Sequence, residues 1–156
     1  MSKILVVCTG NVCRSPVVEA LLNKRFHERG ISELYAHSAG TGDYPPRSAS
    51  RFSVEVIGET ESIDLTDHRS KVATKAMVEE ASLIICMEAS HKEVLSLESP
   101  SEADKIFLLS EMVPGPVYDV SDPYGKDKQA YQMMVKTVTQ LVDSGLEQIV
   151  ELAKAK

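Results

Sequence analysis

The chain has 156 residues, a length that one domain fills, and its 43% hydrophobic and 26% charged residues can bury a core without cross-links. A formal net charge of −6 with no Lys/Arg-rich tract counts against nucleic acid as a partner. No apolar run approaches the ~18 residues of a membrane span, and the apolar run after Met1-Ser2-Lys3 is too short for a secretory signal. The three cysteines, at positions 8, 13 and 86, lack the paired spacing of a zinc site. These features predict one domain over 1–156, cytoplasmic, with reduced thiols, no bound metal and no membrane insertion.

Lys3–Val7 predicts a buried strand, because it is short, β-branched-rich and continuously apolar. After the segment Cys8–Ser15, Pro16 falls where a first-turn proline is tolerated. Val17–Arg29 predicts a helix, with Val18, Leu21, Leu22 and Phe26 at helical spacing and Gly30 closing it. Glu33–His37 predicts a second strand, followed by a small-residue loop, Ser38-Ala-Gly-Thr-Gly42. Ala49–Ile57 predicts a helix ended by Gly58, and Leu65–Ser70 a polar connection that contains His68. Thr74–Glu80 reads as a short capped helix, Leu83–Met87 as a third buried strand, Ser90–Leu97 as a helix and Lys105–Leu109 as a fourth strand. Residues 110–126, rich in Pro and Gly, read as loop. Lys128–Lys154 carries one long amphipathic pattern in which Gly145 is a candidate kink or break.

Continuously apolar strands alternating with helices predict an α/β fold, a parallel sheet with helices on both faces. In such sheets ligands bind beyond the carboxyl ends of the strands. The segment Cys8-Thr-Gly-Asn-Val-Cys-Arg14-Ser15-Pro16 lies there, between the first strand and the first helix. A loop turning into a helix N-terminus presents N–H groups and the positive end of the helix dipole to one small volume, which suits a phosphate dianion. The expected phosphate-binding residues are Thr9, Gly10, Asn11, Val12, Cys13, Arg14 and Ser15. Within them Gly10 allows close backbone approach, and Asn11 tolerates a positive φ that turns successive N–H groups inward. Helix N-termini and nearby cations favour thiolates, so Cys8 is a candidate nucleophile toward phosphorus. Arg14 offers a fixed fork to two phosphoryl oxygens, and Ser15 a hydroxyl to the sulfur. Taken singly, a Cys at the end of a buried strand is a small hydrophobe; the Gly, Asn, Ser and Pro around it favour the site.

The signature Cys8-Thr-Gly-Asn-Val-Cys-Arg-Ser-Pro resembles that of the low-molecular-weight protein tyrosine phosphatases. Ser38-Ala-Gly-Thr41, His68-Arg69, Leu83-Ile-Ile-Cys-Met87 with His91 after it, and Ser121-Asp-Pro-Tyr-Gly125 follow in that family's order, so the resemblance covers nearly the whole chain. It implies a flavodoxin-like three-layer fold with a four-stranded parallel sheet. It also implies a two-step hydrolysis of phosphomonoesters through a cysteinyl phosphate, without metal or cofactor, on tyrosine-phosphorylated proteins or peptides. Cys8 is then the nucleophile, Arg14 the clamp and Asp122 the general acid. Read from the residues alone, Asp122 is as well suited to open a turn before Pro123, and Asp119 is a fallback acid. The resemblance further implies a supporting network of Asn11, Ser15, Ser38 and His68, and a reversible Cys8–Cys13 disulfide under oxidation; packing beneath the loop is the alternative for Cys13.

Tyr44 and Tyr124 are the expected aromatic rim, with Val12 at the position that bears on substrate choice. The related arginine phosphatases have Thr there, so Val12 favours phosphotyrosine; a single tyrosine before Gly125 resembles the arginine branch. Arsenate reductases of similar fold need a further cysteine pair, and this chain has only Cys86, inside an apolar strand. A catalytically silent phosphoprotein-binding module is expected to lack Cys8 or Asp122, and both are present.

Overall fold

The computed structural model describes residues 1–155, so the last residue of the expected 1–156 domain lies outside the described residues. Four strands, β1 (Ser2–Cys8), β2 (Leu34–Gly40), β3 (Leu83–Cys86) and β4 (Ile106–Leu108), form a sheet in the order β2-β1-β3-β4, with every pairing parallel. Five α-helices accompany it: α1 (Arg14–Glu28), α2 (Arg51–Glu61), α3 (Lys75–Glu80), α4 (Ala89–Glu98) and α5 (Lys128–Lys154). This is the expected flavodoxin-like α/β arrangement.

The alternation of β1 divides the interior. Ile4 and Val6 face a core shared with α1, α2 and α5, whereas Leu5 and Val7 face a smaller one with Val78 of α3 and Leu95 of α4. All four are fully buried, each worth roughly 1.5–3 kcal/mol relative to exposure. With both faces covered, β1 has no polar side to display, hence its unbroken apolar run. The chain leaves β1 toward β2 on one side and returns to β3 on the other. The carboxyl ends of β1 and β3 therefore open onto a crevice at the switch point.

Several elements differ in extent from expectation. β2 runs on through Ser38-Ala39-Gly40, which pair with Val6, Val7 and Cys8. Small residues that read as a loop are strand here because two neighbours pair with them: Gly40 N–H also donates to Lys71 O (2.9 Å) and its carbonyl accepts from Ala73 (2.8 Å). Gly40 must be small, since a Cβ would stand 2.4 Å from the Thr9 carbonyl. α1 begins three residues early, at Arg14, placing Pro16 inside its first turn. α2 passes through Gly58, a cost of only about 1 kcal/mol, and stops at Ser62, whose φ of 57° is left-handed. Glu61 holds that last turn, ion-paired to Arg25 (2.8 Å) and Lys24 (3.2 Å) of α1.

α3 is capped as expected, with Thr74 Oγ1 accepting from Met77 N–H (3.1 Å). Short 3₁₀ turns precede and follow β4, at Pro100–Lys105 and Leu109–Met112. α5 runs unbroken through Gly145, where the glycine allows Met112 to pack against the helix backbone.

Candidate active site

Five carbonyls of the loop from Cys8 to Cys13 are held by neighbouring segments. Cys8 O accepts from Thr41 N–H (3.0 Å) and Thr9 O from Gly42 N–H (3.0 Å). Val12 O accepts from Ser50 N–H (2.8 Å), Cys13 O from Ser53 Oγ (3.0 Å) and Asn11 O from His68 Nε2 (2.8 Å). With these acceptors satisfied by neighbouring segments, the loop's N–H groups are the ones left to take an anion.

Asn11 makes this turn possible. Its φ is 57°, a left-handed conformation that asparagine tolerates. Fully buried, it donates both Nδ2 protons, to Ser15 Oγ (2.8 Å) and Ser38 Oγ (2.9 Å), and accepts Lys71 N–H at Oδ1 (3.0 Å). Ser38 Oγ in turn donates to Glu19 Oε1 (2.6 Å). Ser15, having accepted from Asn11, keeps its proton for the Cys8 sulfur 2.9 Å away. The structure thus brings Asn11, Ser15, Ser38 and His68 into one network under Cys8.

Arg14 opens α1 with its side chain 1% exposed. Nη1 is ion-paired to Glu88 and donates to Val120 O (2.7 Å), and Nη2 lies 3.6 Å from Asp122 Oδ2. Its Nε is buried with no partner among the described residues, a donor left over for an oxygen in the cleft. Asp122 lines the cleft with Cys8 and Arg14. Its Oδ1 accepts Tyr124 N–H (3.0 Å), so the turn-forming and cleft-lining readings of this residue both hold. The segment carrying it is anchored by Val120 N–H on Met87 O (2.8 Å) and by Tyr118 on Ser110 Oγ (2.9 Å). Asp119 does not line the cleft; its Oδ1 accepts Ala89 N–H (2.8 Å) at the start of α4, so the fallback acid is a helix anchor instead.

Val12, Tyr44 and Tyr124 border the same cleft. Cys13 lines it as well, with Sγ 3.0 Å from Ser50 Oγ and 3.4 Å from Tyr131 Oη, and burial pushes its thiol pKa up. All three cysteines are free thiols. Cys86 is wholly buried in β3, its pKa raised by burial to about 12. Among the described residues no group of His, Cys, Asp and Glu could hold a metal ion.

Three contributors were not legible from their surroundings in sequence: Glu88, Arg47 and the helix-borne Glu19. A fourth, His91, was noted by position only. His91 is buried, and its Nδ1 accepts Glu88 N–H (3.1 Å), so the ring proton sits on Nε2 and donates to Thr9 Oγ1 (2.9 Å). Burial first, then the Arg14 charge, holds its pKa below the usual value. A histidine three residues after an acid at a helix start is a capping signal that could have flagged both.

Fold and site together define a class that carries a cysteine in a phosphate cradle at a parallel-sheet switch point. Residues 3–156 match the model of the family described as low molecular weight phosphotyrosine protein phosphatase, and the chain belongs to that family. It is 33% identical over 146 residues to a probable low molecular weight protein-tyrosine-phosphatase, EpsP, of Ralstonia nicotianae, covering 94% of each. It is 36% identical over 129 residues to a protein-arginine-phosphatase of Bacillus subtilis, covering 83% of this chain and 84% of that one. The crystal structure of a low molecular weight protein tyrosine phosphatase from T. tengcongensis superimposes with a TM-score of 0.89 at 36% identity, covering 95% of this chain and 99% of that one. Among the described residues no helix is long and apolar enough to cross a membrane.

Proposed function

We propose that this protein hydrolyses phosphotyrosine in proteins or peptides by way of a cysteinyl phosphate. The observation that carries the reading is the satisfaction of five loop carbonyls by neighbouring segments, which leaves the loop's N–H groups for an anion beside a sulfur 2.9 Å from the Ser15 hydroxyl. The phosphoryl oxygens take those N–H groups and Arg14 Nε. The Cys8 thiolate attacks phosphorus as the P–O bond to the tyrosine breaks, and Asp122 gives its proton to the departing phenolate oxygen. In the second step the Asp122 carboxylate takes a proton from water as its oxygen attacks phosphorus. The P–S bond breaks, Cys8 leaves as thiolate stabilised by Ser15, and inorganic phosphate is released.

Val12, 4% exposed, offers the cleft an apolar surface and no hydroxyl, and Tyr44 and Tyr124 flank it with rings; both favour an aromatic phosphoester over phosphoarginine. Cys13, which lines the same cleft as Cys8, is placed in this reading as the resolving partner of an oxidised Cys8. The test compares hydrolysis of phosphotyrosine, phosphoarginine and phosphoserine peptides, with Cys8→Ser as the control that keeps the cradle but not the nucleophile. Phosphotyrosine should be turned over fastest and Cys8→Ser should be inactive yet still bind phosphate. Faster turnover of phosphoarginine would reverse the substrate assignment, and phosphate binding without turnover by the unaltered chain would make it a binding module.

A further inference from the structure

We propose that Arg47 selects phosphotyrosines with a carboxylate next to them in sequence, an inference that rests on the phosphatase reading above. Arg47 lies between β2 and α2, with its backbone fixed by two hydrogen bonds to Ser70: its N–H donates to Ser70 Oγ (2.9 Å) and its carbonyl accepts Ser70 N–H (2.8 Å). The guanidinium spans the cleft mouth, with Cζ 5.0 Å from the centre of the Tyr44 ring and 5.9 Å from that of Tyr124. Beneath it is Gly10, where a Cβ would stand 3.0 Å from Nη2, so the group rests on the loop backbone itself.

The two arginines in the cleft differ in their counter-ions. Arg14 is matched by Glu88 and faced by Asp122. The guanidinium of Arg47 makes one hydrogen bond among the described residues, a long one of 3.5 Å to Tyr124 Oη, and its Nε is buried without a partner. A cation with no counter-ion among the described residues is thus held at the mouth of a site on a chain whose net charge is −6. The phosphoryl group goes to the loop N–H groups and Arg14, so the anion available to Arg47 is the one that arrives beside the phosphotyrosine: the side chain of an adjacent Asp or Glu. Because both tyrosine rings already hold the guanidinium in place, little side-chain freedom is lost in forming that pair. The same charge repels a Lys or Arg at the neighbouring position.

The experiment measures kcat/KM on two phosphotyrosine peptides that differ only in carrying Glu or Lys on either side of the phosphorylated residue. p-Nitrophenyl phosphate, which has no flanks, is the reference. The unaltered chain should prefer the Glu peptide by about fivefold to tenfold, the scale of one partly exposed attraction and one repulsion taken together. Arg47→Gln should bring the ratio near one, and Arg47→Glu should invert it. A ratio that neither substitution changes overturns the inference. So does an equal loss on the peptides and on p-nitrophenyl phosphate, which would put Arg47 on the phosphoryl group itself. No turnover of any of the three by the unaltered chain overturns the phosphatase reading and this inference with it.

Discussion

Nη2 of Arg14 lies 3.6 Å from Oδ2 of Asp122, so a single guanidinium links the loop to the Asp122 carboxylate across the cleft. The other carboxylate oxygen of Asp122 accepts Tyr124 N–H (3.0 Å), so the proposed mechanism assigns the proton for the leaving group to Oδ2. Asp122→Ala should therefore slow hydrolysis of an alkyl or phenyl phosphate by about 10²–10⁴-fold, the range of a positioned general acid. With p-nitrophenyl phosphate, whose leaving group departs readily unprotonated, the loss should be clearly smaller. Steady-state rates on the two substrates check this, and equal losses on both would remove Asp122 from the leaving-group step.

Glu88 holds the clamp from the other side. It is ion-paired to Nη1 of a guanidinium that is 1% exposed, while its own side chain is 27% exposed. Glu88→Gln keeps the shape but leaves a buried cation supported by the Val120 carbonyl and the more distant Asp122. The expected cost is about 1–3 kcal/mol of stability, below the 3–5 kcal/mol of a fully orphaned buried charge. A misplaced clamp should also lower kcat by about 10–10²-fold. Thermal unfolding and kcat measured on one preparation separate the two effects; an unchanged kcat would show that Val120 and Asp122 suffice to position Arg14.

What could be read from sequence depended on how local each interaction is. Gly10, Asn11 and Ser15 act within five residues of one another, and their chemistry shows in their spacing. The strand before them and the helix after them are written in apolar periodicity. Glu88 reaches Arg14 across 74 residues, and Arg47 meets Tyr124 across 77, so neither pairing leaves a local trace. The same reason explains the misjudged extents. Ser38-Ala39-Gly40 has loop composition, but its place beside Val6–Cys8 on one edge and Lys71–Ala73 on the other makes it strand. Gly58 reads as a stop, yet Glu61 is drawn in by Arg25 and Lys24 and carries the helix one turn further.

Gly145 sets helix propensity against packing. An alanine in mid-helix ordinarily gains about 1 kcal/mol over glycine. Here the added methyl would stand 2.7 Å from Met112 Cβ and 3.1 Å from Met112 O, groups close to or within the backbone that cannot swing aside. Overpacking of that kind costs about 1–3 kcal/mol, so Gly145→Ala should be neutral to destabilising by up to about 2 kcal/mol. Urea unfolding checks the sign. A gain near 1 kcal/mol would mean that the turn Leu109–Met112 yields freely.

His91 gives the fold an acid-sensitive element. Its environment comprises Arg14, which disfavours its protonation, and Glu88, Asp119 and Asp122, which favour it; burial is the largest influence and depresses the pKa below 6.5. The unfolded chain therefore takes up a proton as pH falls through about 6.5 while the folded chain does not. Stability from this residue is full above that pH and is lost as pH falls toward the folded-state pKa. His37, depressed chiefly by its own burial, adds to the slope with the same sign. The carboxylates with lowered pKa, such as Glu61 and Asp64, titrate below this window and do not confuse it. His91→Gln should lower Tm near pH 7.5, because Thr9 and Glu88 lose a partner, and should flatten the fall in Tm between about pH 6.5 and 5. Tm profiles of the two proteins that stay parallel through that window would show that His91 does not titrate with folding.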